Sequence, residues 1–140
     1  MPREHTASVV LQEGMRFTGA ADSDYALTLD DSAAEGGGGG VTPVEIVLIG
    51  LAGCAGMDVI SILRKQRQPV SGLEVRANGV RRDELPRIFT TIALEFVVRG
   101  SGIAPAAIER AIELTATRYC TVWGMLVPQA TISSSYRIIE

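Results

Sequence analysis

In the amino-terminal third of the chain, apolar and polar residues alternate at every second position. The alternation forms three short runs, whose apolar members are Ala7, Val9 and Leu11, then Met15 and Phe17, then Tyr25, Leu27 and Leu29. Side chains two positions apart lie on the same face of a β-strand. Glu13-Gly14, between the first two runs, is a turn signal. The pattern therefore predicts three short strands.

Residues 30–41, which read DDSAAEGGGGGV, interrupt this alternation. A run of five glycines has no side chains to pack and favours many backbone conformations over one. The segment is too short to separate two domains. We therefore predict a flexible glycine-rich connector at 30–41, inside a single domain that covers residues 1–140.

A long helix is predicted to begin directly after the connector. Thr42 is a favourable N-cap residue, Pro43 suits the first helical position, and Glu45 can complete a capping box with Thr42. Basic residues up to Arg67 complement the negative end of the helix dipole, and Pro69 stops the helix. The helix is thus expected to end near Arg67.

The centre of this helix, residues 46–63, is an apolar run interrupted by Asp58 and Ser61. A membrane span needs about 20 predominantly apolar residues, and an acidic side chain near its middle is costly in lipid. A helix that is apolar on nearly every side is more simply buried in protein. We predict a core helix and no association with a membrane.

The remaining segments complete an α+β pattern. Strands are predicted at 73–80 and 88–99. One face of the second strand is apolar, through Ile92, Leu94, Phe96 and Val98. A second helix is predicted between Pro105 and Pro128, where helical spacing relates Ile108, Ile112, Thr115, Tyr119, Val122 and Leu126. A closing strand at 132–138 follows. This order predicts an α+β fold with mainly antiparallel sheets and two central core helices.

Composition and charge narrow the class of protein. The 140 residues are 46% hydrophobic and 5% aromatic, so Val, Ile, Leu and Ala must form the core. The net charge is −3 and no basic run can follow phosphates, which argues against nucleic acid as a partner. The start, MPREHTASVV, lacks the apolar segment of a signal peptide. We therefore expect a cytoplasmic protein whose thiols are reduced at rest.

The two cysteines, Cys54 and Cys120, are the main candidates for chemistry. The one histidine, His5, lies near the start, so cysteine and histidine together fall short of the four ligands of a structural zinc site. We predict no metal site and no cofactor. Distant thiols act together only when the fold brings their sulfurs within about 4–5 Å. A thiolate that attacks a peroxide beside a second thiol is a known redox arrangement.

The surroundings of Cys54 leave two interpretations open. Cys54 lies about three turns into its helix, beyond the reach of the helix dipole, so a reactive thiolate needs a cation from elsewhere. The candidate cations are Arg16, Arg76, Arg81, Arg82 and Arg118. The alternative is a buried, inert cysteine that packs as a small hydrophobe. Asp58, one turn later, can face the same site, where its charge would raise a thiol pKa.

Three glycines lie around Cys54, at positions 50, 53 and 56. Because Gly50, Gly53 and Gly56 lack Cβ atoms, they allow another backbone to approach closely. Tight helix packing is the simpler interpretation. The same approach would bring the second helix, with Cys120, against Cys54.

Two segments resemble the OsmC/Ohr family of organic hydroperoxide reductases. The stretch TPVEIVLIGLAGCAGMDVISIL, residues 42–63, is similar to the family's first-cysteine helix, where a proline precedes the peroxide-reacting thiol by eleven residues, as Pro43 precedes Cys54. The stretch ATRYCTVWGML, residues 116–126, is similar to the second-cysteine helix. With the order of elements, the resemblance covers nearly the whole chain, and the chain looks most like the YhfA-like branch.

The resemblance implies an OsmC-like fold, an intertwined homodimer with thiol sites at the subunit interface, and roles for individual residues. It implies that Cys54 is the peroxidatic cysteine and Cys120 the resolving one. Glu45 is the nearest counterpart of the catalytic glutamate, although Val44 occupies the position directly after the proline. The family's arginine-bearing loop corresponds to GAADSDYA, which contains no arginine. Glu45 also keeps its simpler interpretation as a capping residue.

Two functions are compatible with these residues. The first is a thiol peroxidase that reduces organic hydroperoxides through Cys54 and Cys120 and is restored by an external dithiol. The second is a non-enzymatic dimer that binds a small apolar molecule and has inert or vestigial cysteines. The missing arginine favours the second function.

Overall fold

A computed structural model describes residues 2–140, which form two compact units, one up to Val47 and one from Leu48 to Glu140. The first unit contains β1 (Ala7–Glu13), β2 (Arg16–Ala21), β3 (Leu27–Leu29) and a short 3-10 helix (Ala33–Glu35). Helix α1 (Pro43–Lys65) begins in the first unit and continues in the second. The second unit adds β4 (Gly72–Arg81), β5 (Phe89–Arg99), α2 (Pro105–Leu114), a π-helical segment (Thr115–Tyr119), α3 (Thr121–Leu126) and β6 (Thr131–Ile139). A single domain over residues 1–140 stays a prediction.

The first unit is an antiparallel sheet in the order β1-β2-β3, as the alternation predicts. Leu11 pairs with Phe17, and Phe17 pairs with Leu29, so apolar positions of the three strands share a face. Gly14 turns the chain between β1 and β2 with a φ of 55°, a left-handed conformation that glycine adopts without strain.

The glycine-rich segment has a hydrogen-bonded conformation in the structure. Asp30, which is 6% exposed, accepts hydrogen bonds from the backbone N–H groups of Asp31 (2.7 Å) and Gly39 (3.0 Å) and from Nε of Arg16 (3.4 Å). A Cβ atom at Gly37 would lie 2.1 Å from the carbonyl oxygen of Asp31, so this position requires glycine. The Asp30 carboxylate thus holds together a segment whose composition alone predicts a flexible connector.

The variant Asp30→Asn is expected to loosen this loop at neutral pH but not in acid. The hydrogen bond from Asp31 N–H, with those from Gly39 and Arg16, holds the pKa of Asp30 below its usual value of 3.8. Since the folded-state pKa is lowered, the ionised carboxylate stabilises the loop above pH 3.8, and this contribution is lost as the pH falls further. Hydrogen exchange at the Asp31 and Gly39 amides should be faster in the variant at neutral pH and equal to the parent's in acid. Equal exchange at neutral pH would contradict this account.

The second unit is a mixed sheet in the order β4-β5-β6. Strands β4 and β5 are antiparallel, with Gly72 opposite Arg99, whereas β6 is parallel to β5, with Thr91 opposite Thr131. A parallel pair needs a crossover connection, and the chain between Arg99 and Thr131 forms it. The face of β5 that the sequence identifies as apolar is buried, with at most 1% exposure at Ile92, Leu94, Phe96 and Val98. The predicted α+β class is confirmed.

Helix α1 packs one side against the core of the second unit. The fully buried residues of this side are spaced by four positions and are Leu51, Ala55, Val59 and Leu63. The opposite side is exposed in the chain, since Ile49 is 60% and Met57 73% exposed. By length and hydropathy alone α1 would suit a membrane span, but its buried stripe makes it a core helix, as predicted.

The single helix predicted between Pro105 and Pro128 is wrong, because the structure breaks it at Cys120. After α2 the chain forms the π-helical segment, Cys120 is extended with φ −76° and ψ 106°, and α3 then begins. The wider π turn changes the helical register. Consequently Cys120 and Trp123 are buried, whereas Tyr119, which the regular spacing places inside, is 50% exposed.

Candidate active site

Cys54 is held by the regular part of α1, at the edge of its buried side. Its helical neighbours Leu51 and Ala55 are completely buried, whereas Cys54 is half-buried and packs against the hydrophobic core. A rigid element therefore positions this thiol and leaves it partly accessible.

Cys120 lies at the break between the π-helical segment and α3. Its backbone N–H donates to the carbonyl oxygen of Thr115 (2.9 Å), and its Sγ accepts a hydrogen bond from the backbone N–H of Trp123 (3.4 Å). The sulfur thus occupies the N-cap position of α3, and the residue is only 6% exposed. The sequence does not reveal this donor, because a backbone N–H carries no residue-type signal.

The fold brings the two thiols together, as predicted. The Sγ atoms of Cys54 and Cys120 and a carboxylate oxygen of Asp58 all lie within 4.8 Å of one another. This separation falls in the range of about 4–5 Å expected of a thiol pair that can be bridged. Asp58 reaches the pair because it lies one turn after Cys54 on α1. The interpretation that Asp58 faces the site is confirmed.

Burial around Cys120 and Asp58 disfavours the charged forms of both groups. Burial raises the pKa of the Cys120 thiol to about 12, and the neighbouring Cys54 and Asp58 add to this, whereas the N–H of Trp123 opposes it. Burial also raises the pKa of Asp58. The Oδ2 atom of Asp58 is buried and has no hydrogen-bond partner among residues 2–140. None of the groups that shift the Cys120 pKa is a cation.

Four of the five candidate arginines contact other groups. Arg16 binds Asp30, Arg76 pairs with Glu74 and Glu95, Arg82 donates to the carbonyl oxygen of Pro86, and Arg118 lies over the ring of Tyr119. The sequence left the choice of a stabilising arginine open. None of these four contacts involves a cysteine.

Glu45 forms the capping box at the start of α1. Its Oε1 accepts a hydrogen bond from the backbone N–H of Thr42 (2.9 Å), and its own N–H donates to Thr42 Oγ1 (3.2 Å). The bond from Thr42 N–H lowers the pKa of Glu45. The capping interpretation is confirmed, and the catalytic role that the resemblance implies stays a prediction.

The interpretation that the glycines let the Cys120 segment approach is wrong. A Cβ atom at Gly50 or Gly53 would meet no atom of the described chain within 4 Å, and one at Gly56 would meet Val75 of β4 at 3.2 Å. Gly53 and Gly56 are turned away from Cys54 around α1, by about 100° and about 160°, whereas Gly50, four residues before Cys54, lies on the same side of the helix. Gly53 and Gly56 instead line a groove of about 610 Å³, beside the exposed Met57.

A separate cavity of about 360 Å³ lies beside Asp58. Its main lining residues are Asp58, Ser61, Ile62, Lys65, Leu114 and Tyr119. Asp58, which lies within 4.8 Å of the two sulfurs, is the residue that this cavity shares with the thiol pair's surroundings, and neither cysteine is among the lining residues.

The variant Thr115→Val is expected to stabilise the protein. Thr115 is 0% exposed, and its Oγ1 has no hydrogen-bond partner among residues 2–140. A buried unpartnered hydroxyl costs about 1–3 kcal/mol, and valine has nearly the same shape. Chemical denaturation should show a gain of about 1 kcal/mol in the free energy of unfolding. The control Thr115→Ser keeps the hydroxyl and should show no gain. A loss of stability in Thr115→Val would mean that the hydroxyl has a partner in solution.

Comparison with known proteins gives consistent similarities. A family model described as OsmC-like protein matches residues 36–135. The chain is 39% identical over 133 residues to Protein YhfA of Escherichia coli strain K12, covering 95% of this chain and 97% of that protein. It also resembles the crystal structure of an OsmC-like protein from Mycoplasma pneumoniae, with a TM-score of 0.85, 20% identity and full coverage of both chains. An organic hydroperoxide resistance protein from Elizabethkingia anophelis shares the fold, with a TM-score of 0.70, 13% identity and coverage of 97% of this chain and 96% of that one.

Proposed function

The chain belongs to the OsmC-like protein family, and on this premise we propose that it reduces organic hydroperoxides through Cys54 and Cys120. The observation that carries the proposal is the distance between the two sulfur atoms, at most 4.8 Å. The similar protein from E. anophelis is named for organic hydroperoxide resistance, which supports the choice of substrate. A hydroperoxide and a pair of adjacent thiols are the reactants of one redox reaction.

The proposed reaction divides between the two thiols. The Cys54 thiolate attacks one oxygen of the hydroperoxide, so that an S–O bond forms while the O–O bond breaks, and the alcohol leaves after taking up a proton. The Cys120 sulfur then attacks the resulting sulfenic acid, so that an S–S bond forms and hydroxide leaves as water. The two electrons that the thiols lose reduce the hydroperoxide. An external dithiol reduces the disulfide and restores both thiols.

Exposure and protonation support Cys54 as the attacking residue. Cys54 is half-buried, whereas Cys120 is 6% exposed and burial raises its pKa to about 12. Cys120 is therefore a protonated thiol when the hydroperoxide arrives. It must lose this proton in the second step, and Asp58 is placed to accept it, because burial raises the pKa of its carboxyl group and an oxygen of that group lies within 4.8 Å of the Cys120 sulfur.

A homodimer is the assembly that we propose for this activity. The exposed side of α1 presents Ile49 and Met57 beside an open groove, and apolar surface of this kind is covered in stable proteins. The resemblance to the family makes a second copy of the chain the expected cover.

Glu45 remains a candidate catalytic residue. To take part in the reaction, its carboxylate has to leave the backbone N–H of Thr42, to which it is hydrogen-bonded.

The surroundings of the thiols support the choice of substrate and reductant. Cys54 packs against an apolar cluster, which favours a hydroperoxide with an organic group over hydrogen peroxide. A disulfide within one chain is reduced in full by a dithiol, without a mixed disulfide left behind. We place this cycle in the cytoplasm, where thiols are kept reduced.

Turnover of a simple hydroperoxide tests the proposal. Reduced protein is supplied with tert-butyl hydroperoxide and dithiothreitol, and the remaining hydroperoxide is measured with time. Consumption should require both protein and dithiol and should be slower with hydrogen peroxide. The same rate with and without protein would reject the proposal. Saturable binding of an apolar fluorescent probe would then favour the second function, a non-enzymatic apolar-ligand-binding dimer, which the absence of a cation among the groups acting on Cys120 supports.

A further inference from the structure

Three metal-ligating atoms share one small volume in the thiol–carboxylate cluster, which consists of Cys54, Asp58 and Cys120. The two sulfurs and a carboxylate oxygen all lie within 4.8 Å of one another. In a tetrahedral zinc site, with Zn–S bonds of about 2.3 Å and Zn–O bonds of about 2.1 Å, neighbouring ligand atoms are about 3.4–3.8 Å apart. Small rotations of the side chains are enough to reach these distances. We propose that the thiol–carboxylate cluster, with both thiols reduced, binds one thiophilic divalent cation of the Zn²⁺ class.

The unsatisfied carboxylate of Asp58 is an independent observation that points to a ligand. Its Oδ2 is buried and has no hydrogen-bond partner among residues 2–140, and the Cys120 sulfur accepts one hydrogen bond, from Trp123. Buried polar atoms are normally satisfied by a hydrogen bond, a paired charge or a metal. A cation between the three residues satisfies the Asp58 carboxylate and both sulfurs at once.

The arrangement of the ligands suits a metal on a rigid scaffold. Cys54 and Asp58 are four residues apart on the regular helix α1, a spacing that puts two ligands on one face. Cys120 adds the third ligand from the start of α3. Asp58 also lines the cavity of about 360 Å³, from which water can complete the coordination at the fourth position. The prediction from sequence that there is no metal site counted cysteine and histidine alone and left out Asp58.

The chemistry of the ligands selects the kind of ion. Two thiolates and one carboxylate suit soft or borderline cations, whereas Mg²⁺ and Ca²⁺ prefer oxygen ligands alone. Binding requires both thiols to lose their protons, which pass to the buffer. The bound site then carries one net negative charge, from three anionic ligands and a divalent ion. Bound ion and disulfide exclude each other, since each uses the same sulfur electron pairs.

Cobalt binding tests the site without any peroxide present. The reduced full-length protein is titrated with Co²⁺ under anaerobic conditions, and the absorption spectrum is recorded. We expect a sulfur-to-cobalt charge-transfer band and the visible bands of tetrahedral Co²⁺, saturating at one ion per chain and lost when Zn²⁺ displaces the cobalt. Because the readout is independent of hydroperoxide turnover, failure here and failure of the proposed peroxidase are distinguishable.

Single substitutions assign the ligands. Cys54→Ser is expected to weaken Co²⁺ binding at least about a hundredfold and to reduce the charge-transfer band, and Asp58→Asn, which keeps both thiols, to weaken binding at least about tenfold. Asp83→Asn, the same change at an exposed position, is the control and should bind as the parent does. Circular dichroism establishes that each variant is folded. The proposal is overturned if the parent protein shows no thiolate–cobalt band, or if folded Cys54→Ser or Asp58→Asn binds Co²⁺ with the affinity of the parent.

Discussion

The variant Cys54→Ser is expected to consume organic hydroperoxide no faster than buffer without protein. A serine hydroxyl is not a nucleophile toward peroxide at neutral pH, and the remaining thiol, Cys120, is buried with its pKa raised to about 12. Loss of the first thiolate therefore removes the step on which turnover depends. The measurement is the rate of tert-butyl hydroperoxide loss in the presence of dithiothreitol.

The matched variant Cys120→Ser separates the two roles. Cys54 is retained, so the first oxidation should still occur, and its sulfenic acid should persist because no resolving thiol is nearby. Intact-mass measurement should show a gain of about 16 Da, and a sulfenic-acid reagent should label Cys54. If Cys54→Ser consumed hydroperoxide as fast as the parent protein, the assignment of Cys54 as the attacking residue would be wrong.

The second large effect is expected at the proposed dimer interface, where Met57→Asp should give a monomer. Met57 is 73% exposed in the chain and lines the groove on the open side of α1. An unpaired carboxylate buried in an apolar interface costs several kcal/mol, so the dimer dissociation constant should rise at least about a hundredfold. Light scattering at micromolar protein concentration measures the change.

Two control variants make the result specific. Met57→Leu keeps the apolar character and should remain dimeric. Leu85→Asp places the same charge at a similarly exposed apolar residue, in the turn between β4 and β5, and should also remain dimeric. A folded Met57→Asp variant that is still a dimer would show that this side of α1 is not the interface. If light scattering shows that the parent protein is a monomer, the proposed homodimer is wrong.

Periodicity predicts the strands well where one face of a sheet is buried. In β5 the residues Ile92, Leu94, Phe96 and Val98 share one face of the strand, and each is almost completely buried. The same rule fails for the helix that contains Cys120, because one π turn shifts the register by an amount that no residue type announces. The regular spacing therefore places Tyr119 inside, where the structure has Cys120 and Trp123.

The candidate site was predictable in its components but not in its geometry. Two cysteines and their resemblance to a family suggest a thiol pair, and a spacing of four on one helix places Asp58 beside Cys54. The contact with Cys120 depends on the break before α3, which the sequence does not reveal. The prediction from the glycines is wrong for a different reason. A residue without a side chain indicates that another group can approach, but not from which direction.

The glycine-rich segment shows why composition alone is a weak guide to conformation. Five glycines predict a chain without a fixed shape, yet Gly37 is required by its contact with Asp31, and the carboxylate of Asp30 binds the Gly39 amide. The buried Asp30 carboxylate and backbone hydrogen bonds, such as those from Gly37 N–H to Ser32 O and from Gly38 N–H to Asp31 O, together fix the segment. The partners of the Asp30 carboxylate lie nine residues or more from it, except for the adjacent Asp31, and their arrangement follows from the folded loop.

The most direct test of the central claim, that Cys54 and Cys120 form one redox pair, is the mass of the reduced protein after one equivalent of organic hydroperoxide. We predict a loss of about 2 Da and, after digestion without reductant, a linked peptide pair that contains both cysteines. An unchanged mass would contradict the account. So would a gain of about 16 Da that persists at Cys54 while Cys120 stays a free thiol.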